Sequence, residues 1–484
     1  MAEAAQEAMH VRCHKLRLAL FFSAMRHFRD GLRTRGIEVV YHELTANPAE
    51  DRGANFGAIL RHDILTSMPE RLIVVEPGDH RVKLALEAAA GAAGLDLEIR
   101  PDRHFLDTLP AFRAWADGKK TLTLETYYRQ LRKRLNVLMD DTGQPVGGEW
   151  NFDEENRASF GKQGPPEDPP ERRFEPDETT QVVLMMVEQR FADHPGSLAD
   201  FSLPVTREHG LMWLDDFISR RLPWFGKYQD AMWTGGDFHF HSRLSFLLNL
   251  KLLDPRECIN AAINAHDRGE APINAVEGFV RQILGWREFT RGIYWLHMPG
   301  YLESNELRAE QPLPALYWNG ETEMTCLRES MRNVLEHGYA HHIQRLMVLG
   351  LFAQLYGVNP REFHDWHMAM YLDAIDWVSA PNTIGMSQFA DGGIVGTKPY
   401  CATGNYIDRM SNYCRHCRFD PKRASGKDAC PFTTLYWDFL GRNIDAFRRN
   451  HRMGFQVKNH DRKNPDELAA IAARVDEVRA MCAV

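Results

Sequence analysis

Arg71-Leu-Ile-Val-Val-Glu-Pro-Gly-Asp-His-Arg-Val-Lys-Leu-Ala-Leu-Glu-Ala-Ala-Ala-Gly-Ala-Ala-Gly-Leu-Asp-Leu-Glu-Ile-Arg100 decides the fold class of the first part of the chain. A short continuous apolar run reads as a buried strand and stops at the turn residues Pro77-Gly78. A small-residue helix is predicted over Val82 to Gly94, and a second strand at Leu95 to Arg100. Strands that alternate with helices and carry continuous apolar runs indicate a parallel α/β sheet. Outward towards the N-terminus, Leu18, Phe21, Phe22, Met25 and Phe28 recur at helical spacing, which predicts an amphipathic helix ending near Gly36. Ile37 to Leu44 reads as a further strand. A doubly wound sheet normally opens on a strand, whereas this chain opens on a helix. Either the fold is unusual or an N-terminal portion is missing.

Outward in the other direction, the pattern changes. Residues 1–125 are expected to form the α/β domain. Residues 126–181 read as an interdomain linker, with a basic helix from Thr126 to Arg134 and a Pro/Glu/Asp-rich loop from Gly161 to Thr180. Residues 182–484 read as a large all-α domain, rich in Trp and Tyr and joined by short Gly/Pro/Asn turns. The expected class is therefore α/β plus all-α.

The totals are those of an ordinary globular protein: 484 residues, 44% hydrophobic and 26% charged. A net charge of −8 gives no global support for nucleic-acid binding, so any such surface must be a local basic patch. Eight unevenly spaced cysteines argue against a secreted disulfide scaffold and for a reducing cytoplasm. The apolar run Leu16 to Phe22 is too short to span a bilayer, and neither a signal peptide nor a membrane partner is expected.

Cys414, Cys417 and Cys430 stand in a C-x2-C-x12-C arrangement. Two thiolates two residues apart reach one metal centre from a single turn, and a third arrives from the next segment. The fourth ligand is open among Cys13, Cys258, Cys326, Cys401 and Cys482, and zinc and iron–sulfur both remain open. Ser242 and Ser245 at a predicted helix start offer hydroxyls beside free N–H groups, a suitable cradle for phosphate. Glu277, Arg281, Glu288 and Arg291 have the spacing of helix-surface ion pairs.

Trp286-Arg-Glu-Phe289, His241-Ser-Arg-Leu-Ser245 and the Trp-rich helical half resemble the photolyase/cryptochrome superfamily. Ala340-His-His-Ile-Gln-Arg345, Gly385-Met-Ser-Gln-Phe-Ala-Asp-Gly-Gly393 and the cysteine run are similar to its iron–sulfur branch. That branch comprises bacterial cryptochromes and prokaryotic (6-4) photolyases, the deoxyribodipyrimidine photolyase-related proteins. The resemblance implies a Rossmann-like antenna domain, here lacking its first strands because relatives begin further upstream. A truncated or incorrectly assigned start is the corresponding expectation.

For the helical domain the resemblance implies bound FAD. Its contacts would be Tyr228, His241, Ser242, Leu244, Ser245, Glu277, Gln282, Arg287, Asp373 and Asn382. It implies a 4Fe-4S cluster on Cys326, Cys414, Cys417 and Cys430, and an antenna, 6,7-dimethyl-8-ribityllumazine, for which Glu7 is the one contact carried over. The implied activity is light-dependent repair of (6-4) pyrimidine–pyrimidone lesions in UV-damaged DNA by a lyase that acts as a monomer. His342 would be the acid, supported by His341, with Tyr400 and Asp230 lining the lesion pocket. Trp318 and Trp366 would carry electrons during photoreduction, and Lys398, Arg409 and the helix near Arg129 would meet DNA. Two departures from the branch bear on this. His367 stands where a tyrosine is usual, and Ser379-Ala380 replaces Glu-Leu close to the flavin N5. The alternatives are a blue-light receptor of the same branch and a zinc-stabilised nucleic-acid-binding protein.

Overall fold

The structure is a computed structural model and describes residues 1–482. It is mostly helical, with one small parallel sheet. Strand β1 (Leu72–Val75) pairs with β2 (Leu97–Arg100) in the register Leu72 opposite Leu97. The helix His80–Ala92 makes the crossover, and Asp79 caps it by accepting from Arg81 N and Val82 N. The strand is not buried on both faces as its apolar run suggested. Ile73 and Val75 on one face are 43% and 47% exposed.

The long helix Lys15–Thr34 lies at the expected place. The strand expected at Ile37 to Leu44 does not form. Ile37 N closes back on Leu32 O, and beyond it the backbone pairs with the first residues of the chain: Glu3 N donates to His42 O and His42 N to Met1 O, each at 2.9 Å. One bridge is too little ladder to hold a strand, and Ile37 and Val40 stay exposed. What fixes the segment is buried Glu3. It accepts two hydrogen bonds from Arg26 (2.8 and 2.9 Å), one from Tyr41 Oη (2.6 Å) and one from Leu44 N (2.8 Å). A buried carboxylate is tolerable when its lone pairs are filled in this way.

The Pro-rich segment has no regular structure up to Asp177, which caps the helix Glu178–Arg190. It is nevertheless tied down along its length. Arg221 donates to the carbonyls of Pro169 and Pro170, Glu171 pairs with Arg243, and Phe174 stacks on His209 at 4.2 Å. A single apolar core runs from the helix Lys15–Thr34 to the C-terminal helix Pro465–Cys482. No helix among the described residues is long and apolar enough to cross a membrane.

Candidate active site and thiol centre

Three π-helical turns, Arg281–Arg287, Gln344–Gly350 and Pro381–Ser387, line one cavity of about 290 Å³. A π-turn inserts a residue into the helical repeat and turns side chains away from their α-helical directions; such turns are rare and frequently lie at functional sites. Close packing holds them here. A Cβ on Gly350 would meet Ser387 Oγ at 2.2 Å, and one on Gly385 would meet Tyr301 Oη at 2.5 Å. Asp391 braces the third turn by accepting from Tyr301 Oη and from the backbone of Gly393, Ile394 and Val395.

At the cavity wall, Arg345 donates to both carboxylate oxygens of Asp373 at 2.9 and 3.1 Å, and Ser245 Oγ donates to the same carboxylate at 2.6 Å. The guanidinium also lies 4.0 Å above the Tyr371 ring. Burial pushes the Asp373 carboxyl up, but the Arg345 charge and these hydrogen bonds more than offset it, leaving the carboxyl below its ordinary value. Arg243, which shares the Tyr339 ring with Arg345, adopts the left-handed conformation (φ 51°), lies 3.8 Å over Phe238 and pairs with Glu171. A non-glycine residue in that region costs energy that the stacking and the ion pair offset.

The two adjacent histidines diverge, as the helical repeat requires. His342 lines the cavity and keeps an exposed face. The protein packed around it, and then the Arg345 charge, hold its imidazole down at about 4. His341 is fully buried behind the wall and stacks on His241, ring centroids 4.5 Å apart at 14°. Burial pushes His241 down to about 3 and His341 well below the ordinary histidine value.

Of the flavin contacts expected from sequence, His241, Ser242, Leu244, Ser245, Gln282, Arg287, Asp373 and Asn382 line this cavity. Tyr228 and Glu277 do not. Tyr228 packs on Phe160 at 4.9 Å. Glu277 is buried against Tyr128 Oη (3.1 Å) and Phe152 N (3.3 Å) and pairs with Arg281, so it braces the helix behind the wall. The expected pairing of Glu288 with Arg291 is absent: Arg291 pairs with Glu76 at 2.6 Å, and Glu288 accepts from Leu106 N and Asp107 N. Ser245 does open a helix, but one of only five residues, and its hydroxyl is taken by Asp373. Glu7 is likewise held, by two hydrogen bonds from Arg81 at 2.9 and 2.7 Å.

Asp230 and Tyr400 lie outside the cavity wall, around the exposed Arg157. Burial raises the Asp230 carboxyl to about 6. Arg157, Lys162, Lys398 and Arg409 make no ion pair among the described residues, although most arginines of the chain do. Arg129 is engaged by Glu125 at 2.7 Å and lies over Trp150.

Trp366 is buried, stacks on Phe363 of the cavity wall at 5.5 Å, and donates Nε1–H to Tyr317 O at 2.7 Å. The next residue, Trp318, is 45% exposed. His367 also lines the cavity and packs on Tyr371 at 4.4 Å. Arg345, Tyr371 and Thr383 are wall residues that sequence reading did not single out. Arg345 stood within a quoted motif, but only the pairing with Asp373 reveals its place.

The four cysteines come together. Cys326, Cys414, Cys417 and Cys430 line a second, small cavity with Tyr413, Phe419 and Phe432. A Cβ on Gly404 would stand 2.8 Å from Cys430 Sγ, so only glycine leaves that sulfur its space. Among the described residues no three His, Cys, Asp or Glu side chains converge closely enough to hold one metal ion.

A relative aligned over nearly the whole chain shows the family. Residues 1–203 match the model of the deoxyribodipyrimidine photo-lyase-related protein family. Over 482 residues the chain is 47% identical to a (6-4) photolyase of Agrobacterium fabrum, covering 98% of this chain and 93% of that protein. An uncharacterized protein of Acanthamoeba polyphaga mimivirus is 30% identical over 129 residues, 27% of this chain and 97% of its own length. Among solved structures, a bacterial class III photolyase from Agrobacterium tumefaciens superposes with a TM-score of 0.53 at 16% identity, over 96% of this chain and 90% of the other. The chain belongs to the photolyase family.

Proposed function

We propose that this chain is a (6-4) photolyase, a lyase that uses light to restore (6-4) pyrimidine–pyrimidone lesions in DNA, with FAD in the large cavity. The observation that carries the reading is the character of the cavity wall. His241 Nε2, Arg243 Nε, Arg287 Nε, His367 Nδ1, Tyr371 Oη and Ser379 Oγ are buried there without hydrogen-bond partners. Orphaned buried polar atoms are costly. So many around one aromatic-walled space fit a large ligand that carries several donors and acceptors. The similarity to the Agrobacterium fabrum (6-4) photolyase supports the substrate.

FAD, when bound and reduced, supplies the light-driven electron donor. The chain's own residues do the rest. Arg345 and Asp373 present a fixed charge pair to the ligand, and Ser245 orients the carboxylate. The surrounding protein and the Arg345 charge favour the neutral imidazole of His342, and an anionic ligand or a lesion phosphate beside it would raise its affinity for a proton. A protonated His342 then donates to the lesion as general acid, while His341 supports the wall through His241. Phe363, Trp366 and Tyr317 pack on one another, and the exposed Trp318 that follows Tyr317 in sequence would carry electrons on to the surface. A lesion flipped out of the duplex would meet Tyr400 and Asp230 at the mouth, with Lys398, Arg409, Arg157 and Lys162 taking DNA phosphates.

The thiol cavity would hold the 4Fe-4S cluster that the family resemblance implies. Cys326, Cys414, Cys417 and Cys430 lining one small cavity supply the four thiolates that such a cluster takes. A lumazine antenna would compete with Arg81 for Glu7, and repair as proposed does not require it. The division into an antenna-type α/β part (1–125), a linker (126–181) and a helical cofactor-binding part (182–484) belongs to the same proposal. Illuminating the reduced protein with an oligonucleotide that contains one (6-4) lesion tests the reading. Restored pyrimidines support it, and a bleaching flavin without repair would favour the blue-light receptor.

A further inference from the structure

The turn that carries the histidine pair is hydrogen-bonded to the thiol centre through one amide. His341 is the residue that precedes the helix beginning at His342, and Gln344 stands three residues after it. Gln344 Oε1 accepts from His341 N at 3.3 Å. A glutamine at this position that reaches back to the cap residue's N–H is half of a capping box, and it fixes the entry angle of the chain. The same oxygen accepts from Asn333 Nδ2 at 3.3 Å, and Gln344 Nε2 donates to Tyr413 Oη at 3.2 Å. Tyr413 precedes Cys414 in sequence and lines the cavity of the four cysteines. Gln344, Asn333, His341 and Tyr413 are all at most 1% exposed. Water therefore does not replace any of these bonds, and breaking one leaves a buried group unpaired.

We propose that Gln344 is a positioning residue that transmits the order of the thiol centre to the histidine turn, and so to His342 and Arg345. The inference rests on the proposed repair reaction. With the cysteine loop organised, the Tyr413 hydroxyl anchors the Gln344 amide, and the amide holds His341 N. The first turn then presents His342 to the cavity, with Arg345 one turn on against Asp373. With the loop loosened, the anchor is lost and the cap loses its fixed orientation. This gives the thiol centre a part in repair without placing it among the reacting groups.

The test compares Gln344→Leu, Gln344→Glu, Tyr413→Phe and the Gln344→Leu/Tyr413→Phe double variant, each purified with its cofactors. Iron content and thermal melting establish that a variant is loaded and folded. The readouts are the pH profile of single-turnover repair, the affinity for lesion-containing DNA and the visible circular dichroism of the flavin. Gln344→Leu is expected to slow repair about tenfold, within the range for residues that orient a reacting group. It should also shift the pH profile and the flavin dichroism, at unchanged DNA affinity. Tyr413→Phe is expected to do the same more weakly, and the double variant to be no slower than Gln344→Leu, as for two members of one network. Gln344→Glu keeps an acceptor for His341 N and offers another to the Tyr413 hydroxyl, so it should stay close to wild type even if Gln344→Leu fails to fold. Independent, multiplying effects of Tyr413→Phe and Gln344→Leu, or an unmoved pH profile in Gln344→Leu, would overturn the proposal. So would a Gln344→Glu variant as slow as the leucine one. A wild-type protein that repairs nothing would instead remove the function on which the inference rests.

Discussion

Arg345 and Asp373 meet in the wall of the large cavity, two contacts of 2.9 and 3.1 Å between groups 28 residues apart in sequence. The aspartate is 8% exposed and also accepts from Ser245. Removing its charge leaves the part-buried arginine its bond to Ala340 O and the Tyr371 face but no counter-charge, a loss of about 1.5–3 kcal/mol for hydrogen bonds to a charged group. Asp373→Asn is therefore expected to lower the melting temperature markedly and to purify with less flavin. Ser245→Ala removes one hydrogen bond and should cost about 1 kcal/mol. Differential scanning calorimetry and the ratio of flavin to protein absorbance check both.

Acid should loosen the packing of the first long helix on the helical part. His14 caps that helix with Nδ1, accepting from Leu16 N at 3.2 Å, and its Nε2–H donates to Leu335 O at 3.0 Å. Burial holds its imidazole down at about 4, against 6.5 when free. The unfolded chain binds the proton more readily. The contribution is thus complete above pH 6.5 and is lost as pH falls towards 4, at about 1.4 kcal/mol per unit in between. His14→Asn keeps a capping acceptor that does not titrate. It should be less stable than wild type at pH 7 and lose less on going to pH 5, as read from urea midpoints.

The aromatic path makes a graded expectation for photoreduction. Trp366 is buried against the wall residue Phe363, and Trp318 follows Tyr317, whose carbonyl Trp366 contacts. With oxidised FAD and an external reductant under blue light, Trp366→Phe should lose most of the photoreduction rate. Trp318→Phe, at the solvent end, should lose part of it. Stopped illumination with absorbance detection separates the two, and both variants should repair normally when the flavin is reduced chemically.

The thiol centre makes a compositional expectation. Iron and acid-labile sulfide should each be present at about four per chain, as for a cluster held by four cysteines. Cys326→Ser should lose both while Cys401→Ser retains them. One zinc per chain without sulfide would replace the cluster by the alternative left open by spacing alone.

Legibility followed the range of the physics. The parallel pair β1–β2 and its crossover helix were readable because apolar run, turn and helix lie within one continuous stretch. Ile37 to Leu44 is overread: its β-branched residues suit a strand, but propensity does not supply a partner, and the segment finds a single bridge, Ala2 with His42. The C-x2-C pair was visible as spacing. Cys326 entered through the family resemblance, and the fold then brought it to the same cavity. Glu277 looked like a flavin contact by position yet turns behind the wall, because Tyr128 and Phe152 N capture its carboxylate. The π-turns and the Arg345–Asp373 pair had no readable local signal, since both depend on what packs against them.

The central claim places repair chemistry at the large cavity with His342 as the acid. Its most direct measurement is single-turnover illumination of the reduced protein on an oligonucleotide bearing one (6-4) lesion, scored by chromatography for wild type and His342→Ala. The account expects light-dependent restoration of both pyrimidines by wild type, and loss of restoration in the variant while flavin is retained. Repair that survives His342→Ala would contradict the assignment of the acid, and no restoration by illuminated wild type would contradict the function itself.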